Sequence, residues 1–479
     1  RDGTAVPPVA DDGLKVAIVY SATTAAKYFD LTAYSQLFMA AQSQATMAGV
    51  PFDVLSESDL TDVQKLASYD AIVFPSFSHV PDGQLAAIES ALKSAVYDYH
   101  VSLIAAGDFM TNDAAGNSLP GDSYARMKSL LGVAFEGYGT GDLSVRAGDT
   151  SHAMMDGYQP NEVIRDYKNV GYLHYQPVAA GATVLATETA GGQTYNAVLA
   201  TKTGGDNVHF ATDALLADNN MLWQAIQEVT KAPGAVEIGL QMSRQTSLVA
   251  ARNDMDQSQE TYDVSPDSGP GIYDVMLPIL QQWKADYNFV GSYYINVGNN
   301  PPDQTTNWSI SKPYYQQMLA MGNEIGTHSY THPHDTNELT AAEIEFEFNQ
   351  SQLVIEQQLG INVTGTAVPG DPEKLATATQ IIQYFDYMSG GGSTFGAGYP
   401  GAFGYLTPDL ANKVYLAPNV SFDFTLAGWL NMTPAEADAA WAKEWGALTN
   451  HAEVPIVLWP WHDYGPTEWL IDPPQGWKY

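Results

Sequence analysis

Ser247–Asp256 reads SLVAARNDMD, an apolar start that ends in two carboxylates, Asp254 and Asp256. Strand neighbours at i and i+2 face the same side, so both carboxylates can point into one space at the strand's C-terminal end. Taken alone, such an ending equally suits a turn in which Asn and Asp bond nearby backbone. Its surroundings favour a strand. Six further strand candidates follow: Phe289–Val297, Glu324–Tyr330, Thr364–Gly370, Tyr387–Gly391, Val414–Val420 and Pro455–His462. Helical stretches at Ile272–Asp286, Pro313–Met321, Thr340–Leu359, Leu375–Phe385 and Thr433–His451 separate most of them. Thr433-Pro-Ala-Glu436 is a capping box with Pro at the first helical position. Seven such units over ~230 residues predict a distorted (β/α)7 barrel, one short of the regular eight-fold form. In barrels of this kind chemistry collects at the C-terminal ends of the strands.

Two other strand ends carry chemistry. His328 and His332 follow the third strand in Thr327-His328-Ser-Tyr-Thr-His332. They sit four apart, so one helical turn would stack them on a single face. Ile456–Tyr464 (IVLWPWHDY) is an apolar strand ending in His462. A two-histidine grip plus a carboxylate leaves positions open for water and substrate, as catalytic metal sites require. A His-rich polar loop and a rim histidine are the bland alternatives, but three strands delivering Asp, His and His to one face disfavour coincidence.

The first half alternates strands and helices: Lys15–Tyr20, Tyr28–Gly49, Phe52–Leu55, Ala71–Phe77, Gly83–Tyr99 and Val101–Gly107. That rhythm predicts a doubly wound parallel sheet of flavodoxin-like type. From about Leu131 to Ala200 short Gly-punctuated strands predict a β-rich insert, closed by a strand at Asn207–Thr212 and a helix at Leu215–Lys231. The expected organisation is a linker at 1–13, an α/β accessory domain at 14–234 and the barrel at 235–479. The first half resembles the class I glutamine amidotransferase-like fold. Where catalytic members place a nucleophilic Cys, this chain has Gly107 and Asp108, so the resemblance implies a non-catalytic role.

Composition sets limits. Acidic residues outnumber basic ones 54 to 20 in 479 residues, a formal charge of −34. Such a polyanion is expected to avoid nucleic acid and anionic membranes. Only 15% of residues are charged and 45% are hydrophobic, which excludes a disordered acidic polymer. The absence of Cys removes disulfides, thiolate metal sites and Cys nucleophiles. No apolar run reaches membrane-spanning length, so no membrane insertion is expected. The linker-like opening RDGTAVPPVADDG fits a processed, secreted or cell-surface protein. Only 17 residues (463–479) follow His462, so a truncated or an open barrel is expected. Asn307, Asn349, Asn362, Asn419 and Asn431 head glycosylation triplets that a eukaryotic secretory pathway would use.

The order of these motifs resembles the polysaccharide deacetylases with the NodB homology domain, over roughly residues 240–470. Asn253-Asp254-Met-Asp256 resembles their Asp-pair motif, and His328-Ser329-Tyr330-Thr331-His332 matches their H-[ST]-x-x-H motif. Ala367-Val-Pro369-Gly370 resembles the barrel-wall motif, and Leu458-Trp-Pro-Trp-His462 the terminal one. Asp423 and Trp429 resemble remnants of a weak fourth motif. Met255 splits the usual Asp pair, and Ala367 replaces the usual motif arginine. These departures and the large N-terminal half look most like carbohydrate esterase family eighteen, whose type member is a secreted fungal galactosaminogalactan deacetylase.

The resemblance implies a metal-dependent N-deacetylase acting on an N-acetylhexosamine polymer such as an N-acetylgalactosamine-containing exopolysaccharide. One divalent ion is expected on Asp256, His328 and His332: Zn²⁺ first, with Co²⁺ and Ni²⁺ also suited to all-N/O ligation. Asp254 would be the general base and His462 the general acid, although Met255 leaves the two Asp roles exchangeable. Tyr330, Pro369, Trp459, Trp461 and Tyr464 are the expected sugar-facing residues, with Trp469 and Trp477 adding to an aromatic-rich tail. The alternatives are an inactive polysaccharide-binding protein, favoured by the lost arginine, and a metal-independent two-carboxylate glycosidase. Arg252, two residues before Asp254, is expected to pair with a carboxylate at the barrel floor or at the site itself; a structural pair far from the metal is the alternative.

Overall fold

A computed structural model describes residues 15–230, 246–301, 304–391 and 399–465. The proposed linker at 1–13, the boundary at 231–234, Trp469 and Trp477 lie outside the described residues. The chain forms two compact units, the first built mainly before residue 245 and the second mainly after it.

The first unit contains a nine-stranded mixed sheet. Five strands run parallel in the order Phe52–Ser56, Val16–Tyr20, Ala71–Phe74, Ser102–Ala106 and Asp206–Phe210. Gln193–Lys202, Thr183–Ala190, Val133–Ala147 and Val163–Pro177 extend the sheet as antiparallel strands, so the insert continues one sheet. The predicted strand Ala71–Phe77 breaks after Phe74, and Phe77–Val80 pairs in a separate small sheet. Pro75 is the cause, since it has no N–H for the ladder. Helix Leu31–Ala48 starts on an Asp30 cap and stops at Gly49, whose φ of 73° is the left-handed stop that glycine supplies. Gly107 also adopts positive φ, and Asp108 beyond it accepts from Tyr175 Oη at 2.7 Å.

All seven predicted strands of the second unit form, at shorter lengths: Leu248–Met255, Ser292–Ile295, Glu324–Thr327, Gly365–Ala367, Tyr387–Ser389, Val414–Leu416 and Ile456–His462. They pair in parallel in chain order, and the seventh returns to pair with the first. Phe403–Gly404 adds a short antiparallel edge to the sixth. Helix Pro434–Thr449 begins on the expected capping box, with Thr433 N–H donating to Glu436 at 2.8 Å. No helix among the described residues is long and apolar enough to cross a membrane.

The sheet curls but is open between its sixth and seventh strands, and side chains bridge the seam. Asn419 Nδ2 donates to the Ile456 carbonyl at 2.9 Å, and Asn419 Oδ1 accepts from Leu458 N–H at 2.9 Å. Position 460 is a proline and needs no acceptor, which is why the edge tolerates it. His462 N–H donates to Asp423 Oδ2 at 2.8 Å. Alternate residues 458, 460 and 462 are thus accounted for without a neighbouring strand. Asn419 is 5% exposed and its carboxamide is engaged, so that triplet is no glycan acceptor in the folded protein.

Candidate metal and active site

The register explains how distant motifs meet. Asp254 lies opposite His462 on the neighbouring seventh strand and opposite Tyr294 on the second. The third strand ends at Thr327, and His328 N–H donates to the Ile295 carbonyl at 2.8 Å, holding the histidine at the sheet's C-terminal edge.

Asp256, His328 and His332 offer three ligand atoms within 4.8 Å of one another. Asp256 Oδ1 lies 3.2 Å from His328 Nε2 and 3.3 Å from His332 Nε2. That oxygen is buried and makes no hydrogen bond of good geometry. A buried carboxylate oxygen close to two imidazole nitrogens is a donor set that fits a shared cation. His328 Nδ1 donates to the Ala367 carbonyl at 2.9 Å, which fixes the tautomer and leaves Nε2 free as a ligand atom. The donor set therefore fits a divalent ion. Burial opposes ionisation of Asp256, yet His332 and His462 hold its carboxyl well below the ordinary range. Burial likewise opposes charge on His332, but Asp256 and then Asp254 raise its pKa.

The HSYTH segment is not a helical turn, contrary to the spacing-based expectation. Ser329 and His332 both have positive φ, at 79° and 58°. One buried carboxylate, Glu347, holds this strained loop. It accepts from Tyr330 N–H at 2.9 Å, Thr331 N–H at 2.8 Å and Thr331 Oγ1 at 2.5 Å. His332 N–H closes on Ser329 Oγ at 3.0 Å. Glu347 sits in a π-helical stretch, Glu345–Gln350, within the predicted helix Thr340–Leu359. Such bulges change the facing of one turn and are frequent at functional sites.

Asp254 has different company. Both its oxygens accept from Arg252, Nε to Oδ1 and Nη2 to Oδ2, each at 2.7 Å. Burial opposes its ionisation, but Arg252 and then His328 keep the carboxyl below its usual range. Asp254 Oδ2 lies 3.7 Å from His328 Nε2. Of the two carboxylates, Asp256 thus faces both histidines and Asp254 faces the arginine.

His462 Nε2 is 3.7 Å from Asp256 Oδ2, and its Nδ1 donates to Asp423 Oδ1 at 2.6 Å. Burial would lower its pKa, but Asp423 and Asp256 push it up to about 10. Tyr464 is buried and stacks on the His462 ring at 4.8 Å.

The sugar-facing expectation fails for two residues. Trp459 and Trp461 stack on each other and pack on Trp283, while Trp441 meets Trp459 and Tyr293 meets Trp461. Alternation along the strand puts them on the face opposite His462, among the covering helices. Pro369 is buried beside Gly370. Tyr330 is half-buried and stacks on Phe346 at 4.5 Å. Trp429, by contrast, is 61% exposed and meets Phe424, which packs against His462.

Residues 257–387 match the polysaccharide deacetylase family model. No curated protein matches the chain. Among solved structures it is similar to a β-galactosidase from Rahnella sp. R3 (16% identity, TM-score 0.33), covering 46% of this chain and 30% of that one. A ThuA-like protein from Bacteroides uniformis is 13% identical with TM-score 0.33, over 45% of this chain and 89% of that one. The Xyl-CE4 domain of a xylanase from the Trinervitermes trinervoides hindgut metagenome is 20% identical with TM-score 0.21, over 31% and 58% of the two chains. The chain thus spans less than a third of the β-galactosidase it matches. The matched segment begins directly after Asp256 and contains His328 and His332, so residues 257–387 carry a polysaccharide deacetylase (NodB homology) domain.

Proposed function

We propose that the protein is a secreted or cell-surface, metal-dependent N-deacetylase that removes acetyl groups from N-acetylhexosamine residues of an exopolysaccharide. The observation that carries this reading is the Asp256–His328–His332 cluster, set between a guanidinium-bound Asp254 and a carboxylate-bound His462. Asp256, His328 and His332 would hold one divalent ion, with Zn²⁺ the first choice for such a donor set. When bound, it supplies a Lewis acid that polarises the acetamide carbonyl and acidifies water. Asp254, kept ionised by Arg252, takes the proton of the attacking water. His462, kept protonated by Asp423, gives a proton to the departing nitrogen. Water adds to the acetyl carbon and the C–N bond breaks, leaving acetate and a free amine.

The kinship to carbohydrate esterase family eighteen and the choice of N-acetylgalactosamine over N-acetylglucosamine are parts of this proposal. The test is acetate release from N-acetylgalactosamine and N-acetylglucosamine oligomers by Zn²⁺-loaded protein, with and without chelator. Chelator-sensitive release from either supports the reading, and its ratio names the sugar. Release that ignores chelator, or none from any acetylated oligomer, rejects it.

A further inference from the structure

We propose that Arg252 is the positioning residue for the base Asp254, an assignment that rests on the deacetylase reading. Arg252 and Asp254 are two apart on one strand and share its inward face. The guanidinium grips both carboxylate oxygens in a fork, a geometry stronger and more directional than a single contact. Its other donors are also engaged. Nη1 donates to Ser389 Oγ at 2.9 Å and to the Gly390 carbonyl, and Nη2 to the Val368 carbonyl at 3.0 Å. A guanidinium has five N–H groups, and all five have partners. Phe422 lies against it at 5.4 Å, and the residue is 1% exposed.

Ala367 is fully buried, precedes Val368 and pairs in register with Ser389. Arg252, on the first strand, reaches the Val368 carbonyl at the end of the fourth and Ser389 and the Gly390 carbonyl at the end of the fifth. The same strand end serves both halves of the site, because the Ala367 carbonyl orients His328 and the Val368 carbonyl orients Arg252. Asp254 Oδ2 accepts one bond from Arg252 and keeps a lone pair for a proton beside His328.

A residue acting only through Asp254 makes a distinctive prediction. Arg252→Met lowers kcat by ~10²-fold, the scale of a mispositioned base, with KM and Zn²⁺ content unchanged. Arg252→Lys keeps a cation without the fork and recovers part of the loss. In an Asp254→Asn background, adding Arg252→Met costs little more, because the base is already gone. Should Arg252→Met fail to fold, the double variant decides, since it leaves no unpaired buried charge. Wild-type turnover in Zn²⁺-loaded Arg252→Met, or an equal further loss in the Asp254→Asn background, overturns the assignment while leaving the deacetylase reading intact. A wild type inactive on every acetylated oligomer overturns that reading, and this assignment with it.

Discussion

The Asp423 carboxylate holds His462 twice, accepting Nδ1–H at 2.6 Å on one oxygen and the backbone N–H at 2.8 Å on the other. The contact that bridges the open barrel seam is therefore also the one that orients His462, the proposed acid. Burial alone would leave this histidine neutral; Asp423 and Asp256 reverse that and push its pKa up to about 10. A general acid works while protonated, so its activity persists through neutral pH and falls as pH rises toward that value. Removing the Asp423 charge lowers the pKa and brings the alkaline limb down. Asp423→Asn is expected to shift that limb to lower pH and to cut kcat by ~10- to 10²-fold near neutrality. A kcat–pH profile checks this, and an unmoved alkaline limb would exclude His462 as the acid.

The two histidines should be separable from folding. His328→Ala or His332→Ala is expected to abolish stoichiometric Zn²⁺ binding and activity while the circular dichroism spectrum stays unchanged. Asp256 raises the His332 pKa, so a proton competes for Nε2 above the ordinary imidazole range. Metal affinity should accordingly fall as pH drops through the imidazole range and recover on raising it. Calorimetric Zn²⁺ titrations across that window measure the slope. A barrel that melts without metal would indicate a structural site.

Asp254 and Asp256 give opposite outcomes. Asp254→Asn is expected to retain Zn²⁺ and lose ~10²- to 10⁴-fold in turnover, the range of a general base. Asp256→Asn is expected to lose metal. Metal analysis of the purified variants decides, and a metal-free Asp254→Asn would exchange the two roles.

Much of this site was legible because its residues stand at strand ends, where alternation fixes facing. That logic brings Asp254, His328 and His462 to one edge: Asp254 lies opposite His462, and Thr327, just before His328, lies opposite Ile295. The same parity puts Trp459 and Trp461 on the face away from His462, a signal present in the sequence that aromatic content alone obscured. Other parts left no local trace. Glu347 holds a loop 16 and 17 residues away, and Asp423 reaches His462 across 39 residues. Nor does i,i+4 spacing distinguish a helical turn from a loop with two positive-φ residues, which only tertiary hydrogen bonds stabilise.

Glu347 therefore supplies a prediction of its own. It touches none of the three candidate ligands by side chain, yet its carboxylate fixes the loop between His328 and His332. Glu347→Gln replaces one acceptor oxygen by a donor and should let the strained loop relax. Zn²⁺ affinity is expected to fall ~10- to 100-fold, the usual cost of losing a group that orients ligands. Competition with a chelator of known affinity measures it, and an unchanged value would mean the loop holds its shape without that carboxylate.

The two tryptophan environments predict a clean division. Trp461 is buried against Trp459, Trp283 and Tyr293, so Trp461→Ala removes core. It should destabilise the protein by ~3–5 kcal/mol in denaturant titrations, with little change in KM for the folded fraction. Trp429 instead stands in solvent beside Phe424, which packs on His462. A flat ring there suits a sugar face, and such a contact adds roughly 0.5–1.5 kcal/mol beyond buried area. Trp429→Ala should leave the unfolding midpoint unchanged and raise KM for acetylated oligomers by about 2- to 10-fold, that energy expressed as affinity. If Trp461→Ala raised KM without destabilising, or Trp429→Ala destabilised without touching KM, the assignment of core and substrate faces would be reversed.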